Sequence, residues 1–190
     1  MNTLLELSRR LTRIAGPGLL ALAAAITVLA RPAAALDVQE YEVKAAYLYN
    51  FARFVEWPAL PEGSLQVCIV GRDPFGPALA GLEGRSVQGR TVRVRRDVAV
   101  SDLGACQIAF ISDSEERRLP MILRTAAGQP VLVVSDIEGF ADGGGMIGLA
   151  LADQKVQFDV NLAPIRQSGL KVPAQVLKLA RQVLNPKGRP

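Results

Sequence analysis

The chain of 190 residues carries 22 Lys and Arg against 18 Asp and Glu, a formal charge of +4, and no histidine. That length suits one domain with a leader or a tail, and two cysteines without any histidine make a zinc or copper site improbable. The excess charge belongs to the first 35 residues, with four arginines and one glutamate; the other 18 basic and 17 acidic residues make no case for nucleic acid.

Arg9, Arg10 and Arg13 precede an apolar run from Ile14 to Ala30, and Ala33-Ala34-Ala35 offers a small-x-small cleavage site. This is the plan of a secretory signal peptide. Cleavage is expected after Ala35, giving a signal peptide over 1–35, a single domain over 36–185 and a frayed tail over 186–190. The competing reading is a retained anchor. The run of about 17 residues is shorter than the stretch of about 20 that spans a bilayer, and Gly16, Pro17 and Gly18 interrupt it.

The first helix of the domain is expected over Glu40 to Glu56, capped by Asp37 with Glu40 three residues on. Tyr41, Ala45, Leu48, Ala52 and Val55 share one face by their spacing of three and four. Pro58 pushes Trp57 out of the helical region. Leu65 to Gly71 reads as a strand covered on both faces. A short helix follows over Pro77 to Leu82, then a turn or short edge strand over Val87 to Gly89, and an alternating strand from Thr91 to Arg95. Arg90, Arg93, Arg95 and Arg96 read as the wet face of that strand. Cys106 to Ser112 is a second buried strand. Ser112 with Glu115 opens a helix to about Ala127, stopped by Gly128. Pro130 to Asp136 is a third buried strand.

Glu138 to Met146 is a glycine-rich loop. Met146 to Leu151 and Lys155 to Leu162 then form an antiparallel hairpin, Ala163 to Ser168 a short helix, and Pro173 to Leu184 a last helix that buries Val176, Leu177, Ala180 and Leu184. Buried strands alternating with helices predict an α/β fold: a three-layer α/β sandwich whose mainly parallel sheet has helices on both faces and a C-terminal antiparallel hairpin. In an oxidising compartment the cysteine pair Cys68 and Cys106 suggests a disulfide, with two buried thiols as the alternative.

Chemistry is harder to find. Ser135 beside Asp136 lacks a nucleophile elbow and reads as structural. Gly71 and Gly76 lack the Gly-Lys-Ser/Thr ending of a phosphate loop. Gly143-Gly144-Gly145 stands between two strands, where no helix N-terminus could hold phosphate. Asp73, Asp136 and Asp142 follow strand ends, where open α/β sheets bind ligands. Trp57, Phe140 and Met146 fall at element ends or in loops, a placement that suits partner or ligand contact, with local packing as the competing reading.

Read together, these blocks resemble the YfiR-like periplasmic proteins. The resemblance lies in Glu42 to Pro58, in Cys68-Ile-Val-Gly-Arg-Asp-Pro-Phe-Gly76, in Cys106 to Ser112, in Val134-Ser-Asp136 with Gly139 to Ile147, and in Val156-x-Phe-Asp-Val-Asn161. It implies a non-catalytic regulator without a cofactor. Such proteins bind the periplasmic domain of an inner-membrane diguanylate cyclase, hold it inactive and so lower cyclic di-GMP signalling and biofilm formation. An outer-membrane lipoprotein can sequester them. The resemblance puts the structural disulfide on Cys68 and Cys106. A second cysteine pair of some members is missing here, which puts redox regulation in doubt. Periplasmic location and a homodimer are expected, with partner contacts around Arg53, Trp57, Phe140, Met146, Asp159 and Ile165. The alternative is a periplasmic small-molecule sensor, with a pocket near Asp73, Asp136 and Phe140, or an accessory module of a membrane histidine kinase.

Overall fold

In the computed structural model residues 33–184 are described, with side chains from residue 39. Helix α1 spans Ala33–Phe54. Asp37 therefore stands inside the helix and not at its cap, a correction to the expected start. The helix ends two residues short of Glu56, because Glu56 pairs as an isolated bridge with Lys171 and holds the chain extended. Ala45, Leu48, Phe51, Ala52 and Val55 are buried. Phe51 packs its ring against Phe158 at 5.4 Å and Tyr47 at 6.0 Å, so it belongs to the core face.

The strands are β1 Ser64–Val70, β2 Ser86–Val87, β3 Arg90–Arg95, β4 Ile108–Ile111, β5 Leu132–Ser135, β6 Ile147–Ala152, β7 Lys155–Asn161 and β8 Gln182–Leu184. They form one sheet of eight in the order β2-β3-β1-β4-β5-β6-β7-β8. The run β3-β1-β4-β5-β6 is parallel. β6 and β7 are the expected antiparallel hairpin. Its turn places both Asp153 (φ 50) and Gln154 (φ 59) in the left-handed region, as a two-residue I′ turn requires.

Every residue of β4 and β5 is buried, as expected for strands covered on both faces. Phe110 and its register partner Val134 share one face, where Phe110 packs on Phe75 at 4.7 Å and Phe75 on Tyr41 of α1 at 5.2 Å. Val133 points to the other face, beside Leu123 and Ala126. Those two belong to helix α2, Leu119–Ala126. Helices thus cover both faces, and the Cys68–Cys106 disulfide joins β1 to the segment that leads into its neighbour β4, with the two Cα atoms 6.0 Å apart.

Two expected helices differ. The helix from Ser112 is a 3₁₀ turn over Asp113–Arg118 followed by α2, with Pro120 at the first turn of the α part. A proline there has no N–H to give to an earlier carbonyl, so the α ladder starts afresh. The expected last helix, Pro173 to Leu184, is a single turn, α4 Ala174–Leu177, and then β8, which pairs parallel to β7. An edge with open N–H and C=O groups on β7 outweighs a weak helical pattern. Between them α3 spans Leu162–Gln167, capped by Asn161 and stopped by Gly169 at φ +71. Of the expected leader over 1–35, residues 1–32 lie outside the described residues, as does the expected tail over 186–190.

Candidate functional site

The glycine-rich loop and the N-terminal half of α1 meet at the C-terminal end of β5. Glu40 and Lys44 are one helical turn apart on α1, the spacing at which opposite charges touch. Lys44 is only 3 % exposed. Its ammonium lies 2.5 Å from Glu40 Oε1 and 2.6 Å from Asp136 Oδ2. The Tyr41 hydroxyl donates to the same Asp136 oxygen at 3.0 Å, and Lys44 Nζ sits 4.3 Å from the Tyr41 ring centre. Burial, and then the Asp136 carboxylate, push the Tyr41 phenol above its ordinary value.

Asp136 is placed by its neighbour. Ser135 Oγ donates to Ile111 O at 2.7 Å and accepts from Ile137 N at 3.1 Å, which fixes the strand end. Ser135 is structural, as its sequence context suggested. A second ion pair faces the first. Arg181 binds Asp159 through both ends of its fork, Nε to Oδ1 at 2.9 Å and Nη2 to Oδ2. That bidentate bond raises the Arg181 guanidinium further above its ordinary range.

Between the two pairs lies a cleft of about 480 Å³. Its walls include Phe140, Leu149 and Leu151 together with Glu40, Lys44, Asp136, Glu138, Asp159 and Arg181. Phe140 folds beneath the glycine loop because Gly145 lets it: a Cβ at 145 would stand 2.2 Å from the Phe140 ring. Asn161 ties the loop down by donating from Nδ2 to Ala141 O at 2.9 Å. The cleft offers recognition by charge and shape, and among the described residues no group of His, Cys, Asp or Glu could hold a metal ion.

The residues singled out from sequence are dispersed. Phe140 and Asp159 line this cleft together. Asp73 does not: it accepts from Phe75 N at 2.8 Å and pairs with Arg96 at 2.7 Å beyond β1. Trp57 is buried, and its indole donates to Gln107 O at 3.2 Å. Met146 and Ile165 are core, and Met146 Sδ accepts from Val133 N at 3.4 Å. Arg53 is exposed near the other end of α1 and packs over Phe54 at 5.1 Å and Tyr49 at 5.8 Å. The sequence reading missed Lys44, Tyr41 and Arg181 as site residues. Lys44 gave a signal, since it lies four residues before Leu48 on the apolar stripe, where a charge needs a buried partner.

A family model described as YfiR/HmsC-like matches residues 41–181. Among solved structures the chain is similar to the ABC domain in complex with L-Trp from Streptococcus pneumonia, with 11% identity and a TM-score of 0.44 over 64% of this chain and 55% of that one. It is also similar to a conserved domain protein from Vibrio cholerae O1 biovar El Tor, with 11% identity and a TM-score of 0.47 over 75% of this chain and 60% of the other. The chain thus spans little more than half the length of either structure, and overlap at that level carries no statement of ligand or role. The family match takes in α1 from Tyr41, the sheet as far as the β7 edge, the disulfide and both ion pairs of the cleft, and the chain belongs to the YfiR/HmsC-like family.

Proposed function

We propose that this protein is a periplasmic regulatory binding protein. It represses an inner-membrane diguanylate cyclase by binding the periplasmic domain of that enzyme, and so lowers cyclic di-GMP and biofilm formation. The observation that carries this reading is the family match over residues 41–181. The Cys68–Cys106 bridge suits an oxidising compartment. Cleavage after Ala35 would deliver the domain there and shorten α1 by Ala33, Ala34 and Ala35.

The mechanism is differential binding: the protein shifts the cyclase only by the margin with which it prefers the inactive state. In this reading Arg53 and the cleft rim at Asp159 touch the partner. Trp57, Phe140, Met146 and Ile165 hold the backbone beneath those surfaces. A homodimer and an outer-membrane lipoprotein that sequesters the protein complete the scheme.

The test is a pull-down of residues 36–190 from solubilised inner membranes, with cyclic di-GMP measured in a deletion strain. Recovery of a cyclase and a rise in cyclic di-GMP are expected. A histidine kinase or no partner, with cyclic di-GMP unchanged, would overturn the reading. A second reading, a small-molecule sensor, is favoured by the cleft itself, whose volume falls within the range of about 300–1,000 Å³ usual for ligand sites. It predicts a rise in melting temperature on adding a ligand with no partner present.

A further inference from the structure

The second half of α1 and the β2–β3 hairpin form a face unlike the cleft. Tyr49 is half-buried there and two guanidiniums converge on its ring, Arg85 at 4.7 Å and Arg53 at 5.8 Å. Arg90 lies alongside and donates to Pro61 O at 2.8 Å and to Gln88 O at 2.7 Å. Five other arginines have carboxylates, Arg72 with Asp113, Arg93 with Glu83, Arg96 with Asp73, Arg118 with Glu115 and Arg181 with Asp159, whereas among the described residues the exposed Arg95, Arg117 and Arg124 have none and stand over no aromatic ring. Among the described residues Arg53, Arg85 and Arg90 pair with none. The Tyr49 hydroxyl also has no hydrogen-bond partner there.

Two guanidinium forks and a phenol O–H therefore stand together with donors open to solvent. Guanidinium forks match carboxylates in a bidentate geometry, and stacking on an aromatic ring pre-orients them at little entropic cost. We propose that this face is a docking surface for a carboxylate-bearing segment of a protein partner, held between Arg53 and Arg85 over Tyr49. This inference rests on the regulatory-binding reading and gives it a partner surface.

A lipid bilayer fits the same face less well. Surface helices and loops that hold on to membranes add apolar side chains that enter the acyl boundary. The large apolar side chains exposed among the described residues are Val43, Leu151, Leu179 and Val183. Val43 lies in the first half of α1, and the others in or beside β6 and β8, across the sheet from the β2–β3 edge. Charge alone would make any membrane contact weak and steeply salt-dependent.

Residues 36–190 and the double variant Arg53→Glu with Arg85→Glu are titrated by calorimetry with a hexaglutamate peptide, its hexaglutamine counterpart and phosphatidylglycerol vesicles. Urea unfolding of both proteins checks that the variant is folded, and Tyr49→Phe, which keeps the ring, is a milder second variant. Expected is binding of hexaglutamate over hexaglutamine, weakened about tenfold or more in the folded double variant and reduced in Tyr49→Phe. Equal affinity of wild type and both variants for hexaglutamate would overturn the proposal, as would vesicles bound more tightly than the peptide. The membrane pull-down is repeated with the double variant. A wild type that recovers no cyclase undoes the regulatory reading whatever the peptide shows. A variant that recovers as much cyclase as the wild type removes this face from the interaction and leaves the regulatory reading standing.

Discussion

Gln88 caps α1 from a different element: its side-chain amide donates to the carbonyl of Ala52 at 2.8 Å and to that of Val55 at 3.0 Å. The last carbonyls of a helix have no partner within it, so a donor from outside is needed. Gln88 reaches them because the β2–β3 turn puts it at φ 51, in the left-handed region, followed by Gly89 at φ 74. The bond fixes the arginine-bearing hairpin on α1. Gln88→Ala loses the bonds and keeps the strained backbone, so it is expected to cost about 1 kcal/mol. Gln88→Gly loses the same bonds and relaxes a conformation that costs about 1–2 kcal/mol for other residues, so it stays near wild type. Urea midpoints of the two variants check this ordering.

The buried cluster gives a second expectation. Lys44→Met leaves Asp136 and Glu40 facing each other, and stranding a buried charge costs about 3–5 kcal/mol. Adding Asp136→Asn removes one of the stranded charges. The double variant is therefore expected to be more stable than Lys44→Met alone, with a coupling energy of about 1 kcal/mol or more in a double-mutant cycle. Additive losses would show that the two side chains do not act together.

Tyr41 predicts an alkaline limit. A phenol held more tightly protonated in the folded chain adds stability that is intact below its ordinary value of 10.0 and is lost as pH climbs from there toward the raised folded value. Wild type is expected to lose stability between about pH 9.5 and 11, and Tyr41→Phe to lose less over the same range. Denaturant midpoints measured at steps of pH settle the comparison; parallel curves would remove Tyr41 as the cause.

Closing a loop of 38 residues, the Cys68–Cys106 bridge restrains the unfolded chain. Loop entropy puts its contribution at about 3.5–4 kcal/mol. Adding a reductant during urea unfolding is expected to lower the midpoint by the corresponding amount, and to leave a Cys68→Ala/Cys106→Ala double variant unchanged.

The loop over the cleft rests on Gly145. A Cβ there would lie 2.2 Å from Phe140 Cε1 and 2.3 Å from Cδ1, so the ring must move. Gly145→Ala is expected to cost about 1–3 kcal/mol, as overpacking does. It should also displace Phe140 from the cleft wall, visible as shifted aromatic resonances of that ring.

The amino-acid sequence determined the elements whose cause is local or periodic. The apolar stripe of α1, the buried strands around Cys68, Cys106 and Val133, the left-handed stops at Gly128 and Gly169, and the β6–β7 hairpin are legible because side-chain spacing and glycine conformation act within a few residues. The fold class followed from their order. Only the tertiary structure decided the rest, because the partners come from far along the chain. β8 exists because β7 leaves an open edge. Lys44 is tolerated in the core because Asp136 arrives 92 residues later. Trp57, Met146 and Ile165, expected among the partner contacts, are buried because Gln107, Val133 and the core close over them. Arg53 acquired its meaning only when the hairpin brought Arg85 to the same tyrosine. Spacing along the chain sets which face a residue occupies, and long-range packing sets whether that face is open to a partner.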